Sequence, residues 1–95
     1  MKHLKLFIKG IVQGVGFRPF VYNLAVSMDI NGYVLNDSRG VLIEAEAPAE
    51  ILHDFKTAIA ANPPRLADIQ GITEEWTDTA EGYNAFVIKK SEEQE

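Results

Sequence analysis

Apolar and polar residues change period along this chain, and each change marks an element. Leu4, Leu6 and Ile8 alternate with Lys5, Phe7 and Lys9, which predicts a strand over residues 2–9 with one face buried. Gly10 to Arg18 breaks the alternation with three glycines in nine residues. Pro19 follows, a residue suited to a helix's first turn because its missing N–H is not needed there. Phe20, Val21, Leu24, Ala25 and Met28 recur at helical spacing and predict an amphipathic helix to about Asp29. Asn31-Gly32 reads as a turn or helix stop. Tyr33-Val34-Leu35 begins a second strand, and Asp37-Ser38-Arg39-Gly40 reads as a hairpin loop. Val41, Ile43 and Ala45, alternating with Leu42, Glu44 and Glu46, predict a third strand. Pro48 opens a second helix with Ile51, Leu52, Phe55, Ala58 and Ile59 on its apolar face, and Asn62-Pro63-Pro64 ends it. Ile69, Ile72 and Trp76 carry an imperfectly alternating fourth strand from Ala67 to about Thr77. A turn region over Asp78–Tyr83 and a short fifth strand at Ala85–Lys89 follow.

The resulting order is β-α-β-β-α-β with one small extra strand. It predicts an α+β domain: a ferredoxin-like sandwich with an antiparallel four- to five-stranded sheet and both helices on one face. Ninety-five residues suffice for one such domain and not for two. We place the domain at residues 1–91 and read 92–95 as a charged, frayed tail or the start of a linker. The fold alone does not specify a function, because it hosts many.

Charge and composition narrow the field. Fourteen acidic against nine basic residues give a net charge of −5, which argues against nucleic-acid binding and against a polybasic membrane-surface role. No cysteine is present, so disulfides, thiolate catalysis and cysteine zinc sites are excluded. With no apolar leader at Met1–Lys9 and no apolar run of spanning length, the expected location is the cytoplasm. His3 and His53 lack metal-ligand spacing and read as surface or edge residues, so neither a metal nor another cofactor is expected. Glu44, Glu46, Glu74, Glu75, Glu92 and Glu93 read as solvated, and Tyr33 and Trp76 as packing residues.

The segment with chemical content is Gly10-Ile11-Val12-Gln13-Gly14-Val15-Gly16-Phe17-Arg18, between a strand and a helix N-terminus. Backbone N–H groups at such a junction are left free by the helix and favour an anion. Glycines let consecutive N–H groups converge into one concave nest. Arg18 adds a planar guanidinium that grips phosphate through two parallel hydrogen bonds. There is no Gly-Lys-Ser/Thr ending, and the glycine spacing is not that of a dinucleotide fold. On spacing alone, a tight βα connection with Arg18 solvated or paired to an acid is the better reading.

A resemblance reverses that balance. Val12-Gln13-Gly14-Val15-Gly16-Phe17-Arg18 resembles the signature of the acylphosphatases, and Gly32-Tyr33-Val34-Leu35-Asn36 followed by Gly40-Val41 resembles their second signature. The likeness extends to the closing Phe86-Val87-Ile88. A narrower likeness joins Arg18-Pro19-Phe20-Val21, Asn36-Asp37-Ser38-Arg39-Gly40-Val41 and Asn62-Pro63-Pro64-Arg65-Leu66-Ala67 to the N-terminal domain of the hydrogenase-maturation carbamoyltransferase, HypF. The resemblance implies a phosphate site formed by Gln13, Gly14, Val15, Gly16, Phe17 and Arg18, with Arg18 holding phosphoryl oxygens and Asn36 orienting the attacking water. It implies acyl phosphates, carbamoyl phosphate in particular, and inorganic phosphate as ligands, and further domains of a larger chain as partners. Asp37 is the competing candidate for a general base, but its hairpin position suits a turn residue. Three functional readings follow: an acyl-phosphate hydrolase, a phosphate-binding module that is not catalytic in isolation, and, least supported, a general interaction or nucleic-acid module.

Overall fold

The computed structural model describes residues 1–90, so the readings made for Ser91–Glu95, including Glu92 and Glu93, lie outside the described residues. The elements are β1 (Lys2–Ile11), α1 (Phe17–Ser27), β2 (Asn31–Asp37), β3 (Gly40–Ala47), α2 (Ala49–Ala61), β4 (Asp68–Thr77) and β5 (Phe86–Ile88). They form one sheet in the order β4-β1-β3-β2-β5. The first four strands pair antiparallel. The fifth joins β2 in parallel, Gly32 to Val34 facing Phe86 to Ile88, and makes the sheet mixed. Two helices on a sheet of this order form the expected ferredoxin-like sandwich.

Period-two patterning sorts the sheet's faces. Leu4, Leu6, Ile8, Val34, Val41, Ile43 and Ala45 are fully buried and share one core with Val21 and Ala25 of α1 and Leu52, Phe55 and Ile59 of α2. Both helices therefore cover the same face. Alternate residues point the other way: His3, Lys5 and Phe7 from β1, Leu42, Glu44 and Glu46 from β3, Tyr33 and Leu35 from β2. Burying a Leu or Phe side chain contributes about 1.5–3 kcal/mol, so this continuous apolar layer is the main source of stability.

One local expectation is corrected. The helix-stopping turn is Met28-Asp29, with Asp29 at φ 59°, and not Asn31-Gly32, which already lies in β2. Gly32 sits there at φ 147° because a Cβ would come 1.9 Å from the Glu44 carbonyl oxygen. Glycine at this position marks a close strand approach rather than a turn. Helix α1 begins two residues before Pro19, which occupies the first turn as expected, where no intrahelical N–H bond is lost.

Residues 78–85, of which Asp78–Tyr83 were expected as a local turn, link one edge of the sheet to the other across the face that carries no helix. The crossing is held by a charge cluster that corrects the reading of His3, Glu44 and Glu46 as solvent-facing. His3 is 7% exposed and Glu46 5%. His3 Nδ1 lies 2.7 Å from a Glu46 carboxylate oxygen, and its Nε2 bonds Glu44. Glu46 also accepts the backbone N–H groups of Glu81, Gly82 and Tyr83. Period two placed these side chains on the open face correctly. It did not show that the chain returns over that face and buries them. The crossover delivers Phe86, which packs beside Tyr22 of α1 and Phe55 of α2 and anchors the three-residue β5. His53 stays exposed on α2, stacked on Trp76 with ring centroids 4.6 Å apart.

Candidate active site

The loop between β1 and α1 is built from two buried anchors and two left-handed glycines. Val12 and Phe17 are buried in the core at either end, and Val15 packs against it midway. Gly14 at φ 73° and Gly16 at φ 80° turn the backbone between these anchors, conformations that cost other residues about 1–2 kcal/mol. Gly16 also serves as the helix N-cap, and no side chain caps α1. Among the described residues, no hydrogen bond is donated by the backbone N–H of Gln13, Gly14, Val15, Gly16, Phe17 or Arg18. Free donors at a helix start carry partial positive charge and form a cradle for an anion.

Arg18 and Asn36 meet at this cradle. Val12, Gly14, Gly16, Phe17, Arg18, Pro19 and Asn36 line one small cavity of about 100 Å³. Arg18 is the second residue of α1 and is half-buried. Its Nη1 donates to the Lys89 carbonyl oxygen at 3.1 Å, just beyond β5, which orients the guanidinium and leaves other donors for a ligand. Asn36 shares strand parity with Val34 and so points to the helix side of β2. It is 9% exposed, and its Oδ1 is buried with no hydrogen-bond donor facing it. An unpartnered buried carbonyl costs about 1–3 kcal/mol, which a donor brought in with a ligand would recover.

The other candidates divide. Gln13 and Val15 do not line this cavity; Gln13 borders a neighbouring one with Ser38, Arg39 and Gly40, and its side chain turns to the β2–β3 hairpin, where Nε2 donates to the Asp37 and Gly40 carbonyl oxygens. Asp37 behaves as a turn residue: its Oδ1 accepts the Arg39 N–H at 2.8 Å. Sequence reasoning missed the roles of Lys89, whose carbonyl holds Arg18, and of the Gln13 side chain. Neither contact has a local signal, since the partners lie 71 and 24–27 residues apart. No group of three or more His, Cys, Asp or Glu able to hold a metal occurs among the described residues. Among the described residues, no helix is long and apolar enough to cross a membrane.

Comparison with known proteins gives this geometry a family. The acylphosphatase family model matches residues 4–88. An acylphosphatase of Thermotoga petrophila is 44% identical over 90 residues, 94% of this chain and 98% of that protein. A carbamoyltransferase HypF of Rhizobium leguminosarum bv. viciae is 49% identical over 72 residues, 76% of this chain but 9% of that protein. The crystal structure of full-length HypF in its phosphate- and nucleotide-bound form matches with a TM-score of 0.92 at 40% identity, over 97% of this chain and 12% of that one. Acylphosphatase from Bacillus subtilis matches with a TM-score of 0.89 at 32% identity, over 94% of this chain and 99% of that one. The chain thus spans about a tenth of its carbamoyltransferase relatives and nearly the whole of its acylphosphatase relatives. On sequence and fold together, it belongs to the acylphosphatase family.

Proposed function

We propose that this domain hydrolyses acyl phosphates, with the phosphoryl group held by Arg18 and the N–H groups of Gln13 to Arg18, and water oriented by Asn36. The observation that carries the proposal is the convergence of Arg18, the free backbone N–H groups of Gly14, Gly16, Phe17 and Arg18, and the unpartnered Asn36 Oδ1 on one cavity. A water that donates to Oδ1 turns a lone pair toward phosphorus. Its oxygen forms the new P–O bond, the bond to the acyl oxygen breaks, and the water's proton passes to the released phosphate. The leaving group is a carboxylate with an ordinary pKa near ~4, so it departs without a general acid. Position and charge stabilisation are what such an activated anhydride requires of a protein, and arginine and loop supply both.

Carbamoyl phosphate is the specific substrate we propose, in the setting of the N-terminal domain of a [NiFe]-hydrogenase maturation carbamoyltransferase, where the product is carbamate. The narrower motif likeness and the HypF relatives support this; the acylphosphatase relatives, matched almost end to end, support a stand-alone hydrolase equally. The test is hydrolysis of benzoyl phosphate and carbamoyl phosphate by the 95-residue chain, with Arg18→Ala and Asn36→Ala alongside. Arg18→Ala is expected to lose about 10²–10³-fold in turnover, and phosphate affinity with it. Asn36→Ala is expected to lose comparable turnover while inorganic phosphate binds within a few-fold of wild type. Normal turnover by Arg18→Ala overturns the site assignment. A folded, phosphate-binding chain without turnover would be a non-catalytic module instead. Faster hydrolysis of benzoyl than of carbamoyl phosphate would favour the stand-alone reading.

A further inference from the structure

The Gln13 side chain has a place in the structure that the cradle itself does not use. Its Nε2 donates one hydrogen bond to the Asp37 carbonyl oxygen at 2.5 Å and another to the Gly40 carbonyl oxygen at 2.7 Å. Asp37 and Gly40 face each other in the register of the β2–β3 hairpin, and the next pair inward is Asn36 with Val41. One amide group, with its two N–H donors, therefore bridges both strands at the base of the hairpin turn, one pair from Asn36.

We propose that Gln13 is a positioning residue that sets the distance between the phosphate cradle and the Asn36 amide. This rests on the hydrolytic reading of the site. The cradle's backbone donors are all kept for a ligand, so its backbone cannot also bond to β2. Val12 and Phe17 hold the loop to the core, but apolar contacts are non-directional and tolerate sliding. Two hydrogen bonds from one planar amide fix both distance and direction. The β2–β3 turn is independently stiffened by the Asp37 Oδ1 to Arg39 N–H bond, so a tie to its base is a tie to a defined geometry. Gln13 thus sits at the entry to the cradle loop and acts as a spacer through its side chain.

The consequence is a split between binding and turnover. Gln13→Met keeps length and removes the donor. It is expected to lower kcat about 10- to 100-fold, the scale of a displacement near 1 Å, while inorganic phosphate affinity changes less than about threefold. If Gln13 acts through Asn36, then Gln13→Met added to Asn36→Ala lowers kcat no further than Asn36→Ala alone. Multiplicative losses in the double variant, or a loss of phosphate affinity as large as the loss of kcat, overturn the proposal. Gln13→Glu is the second variant: its shape is retained, but a carboxylate faces two carbonyl oxygens, and the same kcat-selective loss is expected. Should the wild type not hydrolyse benzoyl phosphate, the hydrolytic reading falls, and the spacer is judged separately by NMR with inorganic phosphate. Movement of the Asn36 side-chain amide signal in folded Gln13→Met or Gln13→Glu, with phosphate still bound, supports it, and an unmoved Asn36 signal overturns it.

Discussion

Single positions in this chain are constrained by backbone approach as much as by side-chain contact. Gly32 illustrates the point. A methyl group there would press on the Glu44 carbonyl in a backbone conformation that L-residues rarely adopt. Gly71 lies in a strand of the same sheet with nothing within 4 Å of an added Cβ. Gly32→Ala is therefore expected to destabilise by about 2 kcal/mol or more, and Gly71→Ala to stay within about 0.5 kcal/mol, both measured by urea unfolding. Sequence patterning flagged Gly32 but assigned it to a turn. The obstacle that requires glycine sits on the neighbouring strand, twelve residues away in sequence, and no local rule reports it.

Pairs of elements are joined by the His3 cluster, which clamps β1, β3 and the 81–83 segment together. Both imidazole nitrogens of His3 face carboxylate oxygens, an arrangement only the imidazolium satisfies, since a neutral ring would point a lone pair at one of them. Burial opposes the charge, but the hydrogen bonds and charges of Glu46 and Glu44 outweigh it and raise the His3 pKa above its ordinary 6.5. Burial likewise opposes the Glu46 carboxylate, and the Glu81, Gly82 and Tyr83 N–H groups together with His3 pull its pKa below 4.5. Lys5, Glu75 and Glu81 border the same pocket, and burial with the neighbouring Tyr33 and acids pushes the Tyr83 phenol up to about 12, so it stays neutral. The His3 contribution is complete below pH 6.5 and is lost as pH rises through the raised pKa. The Glu46 contribution is complete above pH 4.5 and is lost as pH falls through the lowered one. Thermal unfolding should accordingly show this cluster's stabilisation at full strength between those limits. His3→Gln should flatten the alkaline decline; an unchanged pH profile in that variant would show that the decline does not come from loss of the His3 charge.

At the scale of the whole molecule, ligand binding and stability are one measurement. The cradle exists only in the folded chain, since Val12, Phe17 and Asn36 come together from the β1–α1 loop, α1 and β2. Inorganic phosphate at 100 times its Kd should therefore add about 2.7 kcal/mol to the unfolding free energy. For a domain of this size that is a rise in Tm of roughly 10–20 °C. Arg18→Ala should remove most of the rise without lowering the ligand-free Tm appreciably, because the side chain's tie to Lys89 is an exposed hydrogen bond. Calorimetry with and without phosphate checks both statements.

The sequence by itself determined the element order, the buried alternation of β1 and β3, the helix faces and the glycine-broken junction between β1 and α1. Each of these depends on residues within one turn or one strand, where periodicity and backbone preference act directly. The family signatures further pointed to Asn36 as a member of the site. Tertiary structure alone decided that β5 would add in parallel beside β2, that residues 78–85 would cross the open face and bury His3 and Glu46, and that Gln13 would reach the hairpin beside Asn36. Those outcomes join residues tens of positions apart. They are selected by which surfaces remain uncovered once the local elements have packed, and no local pattern contains that information.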